Sequence, residues 1–318
     1  MTRITRAIRI SRCAAFCAMA LAMAACSGAT SPDGQAGPME PEKPAQLDVP
    51  SFVFAADVEG RSQLFRFSGD SITRLTADEA NDAEPRSAAG RIVFTSDRDG
   101  NDEIYFAGLD YAVQRRVTSD IAADREPALN PGGDVIAFVR NRVGTPRIWT
   151  VAAPALDPAP TTVYGTAVPL ETGADEHVPE HSPVWSPDGS RIAFTSTRTG
   201  ISQVFVVEAT GGSAVQVTHE AGGAFDPGWS DDGRSIIYVA ATGTPSLRSA
   251  PLAGGEATDV ASDSLGIGQP SCALDLCVAI TDPLGDTGNV VVLSVSGHAS
   301  RIVLARTSRE RQPAIVIP

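Results

Sequence analysis

Short apolar runs alternate with turn signals along most of this chain, and the alternation repeats. The clearest copy is Ser182-Pro183-Val184-Trp185-Ser186-Pro187-Asp188-Gly189, leading into Arg191-Ile192-Ala193-Phe194-Thr195-Ser196. Pro187 presets the φ a turn needs, Asp188 can bond its own backbone, and Gly189 tolerates the reversed φ that follows. Ile192, Phe194 and Ser196 then alternate with smaller residues, the period of a half-buried strand. Trp229-Ser230-Asp231-Asp232-Gly233 through Tyr238 is a close copy, Asn130-Pro131-Gly132-Gly133 through Phe138 a looser one, and Ser87 to Phe94 a worn one. A second apolar run follows each copy across a turn such as Arg98-Asp99-Gly100-Asn101 and carries an apolar–aromatic pair: Ile104-Tyr105, Ile148-Trp149 or Val204-Phe205. After a Gly-containing turn, the last run often ends in an apolar residue plus Thr, as in Leu75-Thr76, Val117-Thr118 and Val217-Thr218.

The prolines that open the copies set the period. Pro85, Pro127, Pro183, Pro227, Pro270 and Pro313 are separated by 42, 56, 44, 43 and 43 residues. The long interval carries a Pro/Ala/Thr-rich insertion near Ala155 to Ala167, so the underlying spacing is about 43, the length of a four-stranded propeller blade. Helical repeats share that period, but no window shows the sustained 3.6-residue apolar stripe they require. The N-terminal part begins mid-pattern with Phe52-Val53-Phe54 and lacks an opening strand, whereas Gln312 to Ile317 is an opening strand with nothing after it. Joined, they make one blade. The expected fold is all-β: a six-bladed β-propeller over 51–318, closed by pairing the C-terminal strand with the N-terminal segment, which removes exposed sheet edges.

The run Pro-x-Trp-Ser-Pro-Asp-Gly…Ile-Ala-Phe-x-Ser from Pro183 to Ser196 resembles the WD40-like (PD40) repeats of TolB-type six-bladed propellers, and the resemblance extends over about 51–318. It implies a cell-envelope binding scaffold that recognises a protein or peptide at the mouth of the propeller channel. The same repeat also serves in the propellers of some peptidases, and a fold shared this widely does not fix function.

The first 25 residues do not belong to the repeat. Arg3, Arg6, Arg9 and Arg12 form a basic leader before the apolar run Cys13 to Ala25, too short to span a bilayer. Leu21-Ala22-Met23-Ala24-Ala25-Cys26-Ser27 looks like a bacterial lipobox with Cys26 as the lipidated residue; an ordinary cleaved signal is the alternative. Residues 26–50 have almost no apolar side chains and read as a tether spanning roughly 25–30 Å. Export to the envelope follows, with Ser27 favouring the outer membrane and contact with lipid only through the anchor. Removing the leader takes net charge from −13 to −17, which argues against nucleic acid and anionic lipid as partners. Cys272 and Cys277 are the only cysteines left for the folded part; across a turn in an oxidising compartment they are placed for a disulfide, the alternative being two reduced core thiols.

Signals for catalysis are sparse. There is no Gly-x-Ser-x-Gly elbow and a single lysine, Lys43, so neither a hydrolase nucleophile nor a phosphate loop is indicated. His177-Val178-Pro179-Glu180-His181 has the spacing of an inverted zinc peptidase, but Pro179 breaks the helix that chemistry needs. His177 and His181 remain weak candidates for a loop metal; no cofactor is expected. A more consistent pattern precedes the opening prolines. Asp82, Asp124 and Glu180 stand three residues ahead, and Glu84, Glu126 and Asp226 stand one ahead. On the loop entering each innermost strand, these six are expected to converge at one channel mouth, either bonding a neighbouring blade's backbone or receiving a basic peptide or divalent cation. The leading reading is a monomeric binding scaffold; the alternatives are a metal-dependent or glycan-processing propeller enzyme and a sensor or accessory subunit of an envelope complex.

Overall fold

The computed structural model describes residues 49–318 apart from 70, 143, 157–164, 263–265, 274–275, 282–288, 296–299, 306–309 and 316–318. The leader, Cys26 and the tether up to residue 48 lie outside the described residues.

Among the described residues, six four-stranded antiparallel sheets form the blades. Blade 2 runs outward from Asp82–Ala88 through Arg91–Ser96 and Glu103–Gly108 to Gln114–Arg116. Blades 3 to 6 repeat that order from inner strands Ala123–Leu129, Glu180–Trp185, Ala224–Trp229 and Ile267–Ala273. Blade 1 is composite: Glu310–Ile315 pairs with Phe52–Val58 in the register Phe52↔Ile315, Val53↔Ala314 and Ala55↔Arg311, and Arg61–Ser68 and Ser71–Arg74 complete it. The inner strands touch one another around a closed cycle, as the unpaired ends of the repeat imply.

Among the described residues the hydrophobic cores lie between blades, not within them. Val93, Ile104 and Phe106 of blade 2 pack on Ile136 and Phe138 of blade 3; Ile148 of blade 3 packs on Trp185, Ile192 and Phe194 of blade 4. The cycle ends where Phe52 and Phe54 of blade 1 meet Val278 and Val292 of blade 6, and Val53 and Leu64 meet Ile92 and Phe94 of blade 2. This corrects the half-buried reading of the second strands. Ile192 to Ser196 are buried without interruption, Ala193 and Thr195 included. The alternation there is large against small, because one face fills the gap to one neighbour and the other face lets the next blade approach closely.

The Thr that ends the last run in blades 1, 2 and 4 has a defined job. Thr76, Thr118 and Thr218 accept the N–H of Leu64, Ile104 and Val204 (2.9, 2.9 and 2.8 Å) and donate to Gln63, Glu103 and Gln203 (3.1, 2.6 and 2.8 Å). The outer edge of each of these blades is thereby held by a side chain where the ladder stops.

Candidate functional site

The channel is lined by the inner strands, and its shape follows from one backbone feature. The residue before the opening proline has positive φ in five blades: Glu84 (54°), Glu126 (53°), Ser182 (51°), Asp226 (47°) and Gln269 (52°). Pairing with the second strand slips across each of them. A bulge of this kind adds an unpaired residue and re-aims its side chain. For a residue with a Cβ the left-handed conformation costs roughly 1–2 kcal/mol, and bonds to the next blade offset it. Glu84 accepts the N–H of Glu126 (2.6 Å), Glu126 accepts the N–H of Ser182 (2.5 Å), and Asp226 accepts that of Gln269. Ser182, whose side chain is shorter, turns its hydroxyl to Asp226 at 3.4 Å. Each carboxylate therefore clasps its neighbour at the neighbour's own bulge.

The six acids do not converge as expected. Glu84, Glu126 and Asp226 meet in the channel, at a cavity of about 180 Å³ shared with Arg86, Ser182 and Gln269. Asp82, Asp124 and Glu180 are turned away and fully buried. Asp82 pairs with Arg98 (2.9 Å), Asp124 holds Arg140 through both oxygens (2.7 Å each), and Glu180 binds Arg198 (2.8 Å) and Arg147 (3.0 Å). The arginines stack on blade aromatics, Arg98 on Tyr105, Arg140 on Trp149 and Arg198 on Phe205. Residues two apart in a regular strand share a face; the register shift at the bulge breaks that alternation and parts the two sets. All six also lie inside the strands rather than on entering loops.

The carboxylates are not alone. Arg86, the residue after Pro85, points into the same neck. Its Nη1–H donates to the carbonyl of Pro85 (3.0 Å), and among the described residues it closes no ion pair. Burial pulls this guanidinium below its usual value against the pull of Asp226, Glu84 and Glu126. Burial likewise pushes Glu84 and Asp226 above the ordinary carboxylate range. Sequence reasoning missed Arg86, although Arg86 alone supplies a cation at a position otherwise held by Ala128, Val184, Gly228, Ser271 and Ala314.

His177 and His181 are kept apart. His177 is exposed and bonded to Asp175 (2.9 Å), beside an outer groove of blade 3 formed by Arg142, Arg147 and Trp149. His181 faces the channel mouth and bonds Glu126 (3.0 Å), a contact that raises its pKa. Among the described residues no group of three His, Cys, Asp or Glu is arranged to hold a metal ion. Cys272 and Cys277 are joined as a disulfide across the first hairpin of blade 6.

Beyond the neck, toward the hairpins that join first and second strands, the channel widens into a cavity of about 330 Å³. Trp185 and Trp229 form much of its wall, each held by its indole N–H on the preceding blade, at Ala128 O and Val184 O (3.1 Å each). At the opposite, acid-bearing end, strand direction places the loops holding Ile121 and Ile201 and the start of the strand holding Phe225; all three are exposed.

Residues 174–316 match the family model described as PD40, the TolB β-propeller domain. The chain is similar to "Uncharacterized peptidase YuxL" of Bacillus subtilis (strain 168), 30% identical over 142 residues that make up 41% of this chain and 20% of that one. It is also similar to "Protein TolB homolog" of Chlorobium chlorochromatii (strain CaD3), 29% identical over 181 residues, 57% of this chain and 37% of that one. The chain thus spans well under half the length of either relative. Among solved structures, TolB from Acinetobacter baumannii superposes with a TM-score of 0.67 at 18% identity, covering 85% of this chain and 67% of that one. That likeness carries the fold: the repeats build a TolB-like six-bladed propeller.

Proposed function

We propose that this propeller is a non-catalytic binding scaffold of the cell envelope, held by a lipid at Cys26, that receives a protein or peptide partner at the acid-bearing mouth of its channel. The observation that carries the reading is the composition of that end. His181, Glu126 and Arg125 stand at the mouth, and Ile121, Ile201 and Phe225 are exposed on the same end without serving the protein's own core. Apolar anchors beside fixed, partly buried charges are what a specific interface needs. The basic leader and the Cys26 motif support export, and the relative named for TolB supports an envelope partner. Catalysis has no place in this reading, since the sequence offers no activated nucleophile. The match to a peptidase favours one alternative, a propeller that screens peptides for a catalytic subunit.

A photo-crosslinking residue at Phe225 of the full chain, expressed in its own envelope, tests the reading. A discrete adduct is expected there and not from Val215, which is exposed on the outer strand of blade 4. Equal yields at both positions, or none at either, would overturn it; an adduct with a peptidase would select the alternative. Intact mass of the membrane fraction tests the anchor, with Cys26→Ser expected to abolish both the lipid mass and membrane retention.

A further inference from the structure

The cavity at the hairpin end of the channel is a second site, separate from the mouth. Its walls are apolar, made by Trp185, Trp229, Leu129, Ala88 and Val184 with several prolines, while its floor is polar. Arg86, Asp226 and Ser182 border both this cavity and the smaller one beyond it, so they form the constriction between the two. The floor offers one strong donor and one strong acceptor. The guanidinium of Arg86 spends one N–H on its own backbone, leaving donors of its five. The carboxylate of Asp226 accepts from Gln269 N–H and, at 3.4 Å, from the Ser182 hydroxyl, which leaves acceptor capacity.

A group that suits both must accept from a guanidinium and donate to a carboxylate at once. A ligand carboxylate satisfies Arg86 but faces Asp226, Glu84 and Glu126; a ligand ammonium satisfies Asp226 but faces Arg86. An amide does both without adding charge to a recessed site, where an unpaired charge is costly. Its carbonyl takes the Arg86 N–H and its own N–H goes to Asp226. The volume is at the lower end of the range for small-ligand pockets, enough for one bulky apolar side chain and the amide that carries it.

We propose that this cavity binds an apolar peptide segment, which enters from the hairpin end, packs an aliphatic side chain against Trp185 and Trp229, and bridges Arg86 and Asp226 with a peptide amide. The site opens toward the end of the channel opposite the mouth, and its test does not involve the envelope partner.

The test uses the indole N–H signals of Trp185 and Trp229 in the 15N-labelled protein, with Trp149 on the outside of blade 3 as internal control. Three probes share one side chain: N-acetyl-leucinamide (neutral amide), N-acetyl-leucine (anion) and leucinamide (cation). The neutral amide is expected to shift Trp185 and Trp229 but not Trp149, with a Kd on the order of 1–10 mM for a probe this small. It should bind at least about fivefold more tightly than either charged probe, and Arg86→Met should remove that preference. Gly228→Met keeps the polar floor while filling the cavity. Gly228 lacks the positive φ that would strain a side chain, and the nearest atoms a Cβ there would meet, in Cys272 and the Ile237 carbonyl, stand 3.5 Å or more away. This variant should fold as the parent does and lose the shifts. A charged probe binding more tightly than the amide, unchanged binding by Gly228→Met, or no shift of either indole would each overturn the proposal.

Discussion

At the residue scale, the channel is built by side chains in an unfavourable backbone conformation that their own bonds stabilise. Glu84 has a φ of 54° while its carboxylate accepts the N–H of Glu126 at 2.6 Å and the hydroxyl of Thr95 at 2.7 Å. Truncation should therefore reverse the usual order of glycine and alanine in a strand. Both Glu84→Ala and Glu84→Gly leave the Glu126 N–H without its partner, costing about 1–3 kcal/mol. Glycine is freed from the left-handed penalty and should lose less than alanine, by about 0.5–1 kcal/mol. Thermal melts of the pair check this; an alanine variant melting higher than the glycine variant would remove strain from the account. His181 makes a pH-dependent contribution. Its bond to Glu126 raises the folded pKa above the unfolded value of about 6.5. The contact therefore stabilises fully below that value and is lost as pH rises through the folded pKa. His181→Gln should melt below the parent near pH 5.5 and level with it near pH 9, by a small margin since the ring is about half exposed. A gap that widens with pH would contradict the pairing. The acidic residues before each proline stand out in the sequence, but their division into two sets depends on a bulge that no residue type announces, because Glu, Ser, Asp and Gln all occupy it. Arg86 carried a signal, a lone cation at a repeat position, that was visible once the copies were aligned on their prolines.

At the level of elements, the repeat was the most readable feature of the chain because most blades solve the same problem with similar residues. Turn chemistry marks the first hairpin: Gly189 and Gly233 have φ of 71° and 65°, and Asp188 takes bonds from Ser186 and from the backbone and hydroxyl of Ser190, holding its pKa down to about 2. The apolar residue plus Thr that ends three of the units was visible as a pattern but its purpose was not, since that lies in a contact across about fourteen residues. Thr218 accepts the Val204 N–H and donates to Gln203, both at 2.8 Å and all buried. Thr218→Val keeps the shape and removes the hydroxyl, leaving the Val204 N–H without a partner. A loss of about 1–3 kcal/mol is expected, several degrees in melting temperature, with Thr218→Ser recovering most of it. A valine variant as stable as the parent would show that the hydroxyl is incidental. Where blade 6 lacks the Pro-Asp-Gly turn, Cys272 and Cys277 close the same hairpin covalently. What the sequence obscured was burial: large–small alternation in a strand packed on both faces looks the same as in–out alternation until the neighbouring blade is in place.

At the scale of the whole molecule, stability rests on closure, because every hydrophobic core among the described residues is shared by two blades. Blade 1 depends most on this. Its inner strand, Glu310–Ile315, arrives from the far end of the chain, and on either side of blade 1 lie the cores it shares with blades 6 and 2. Deleting Pro313–Pro318 removes the pairs Phe52↔Ile315 and Val53↔Ala314 and leaves only those toward Arg311 and Glu310. The edge of Phe52 and Val53, buried in the closed ring, would then present unpaired backbone groups and apolar side chains to solvent. A trim of six residues from an ordinary tail changes little. This one should lower the melting temperature by more than about 10 °C or drive the protein into aggregates on size exclusion, because two shared cores loosen together. The sharper expectation is rescue. A synthetic peptide of residues 310–318 added to a chain ending at 309 should restore a cooperative melt, with a midpoint that rises with peptide concentration, since a strand supplied from outside fills the same edge. A peptide with Pro in place of Ala314, the partner of Val53, removes a backbone donor from this strand and should rescue poorly. General destabilisation by truncation predicts no such recovery, so a truncated chain indifferent to the peptide would mean that the last strand does not close the ring.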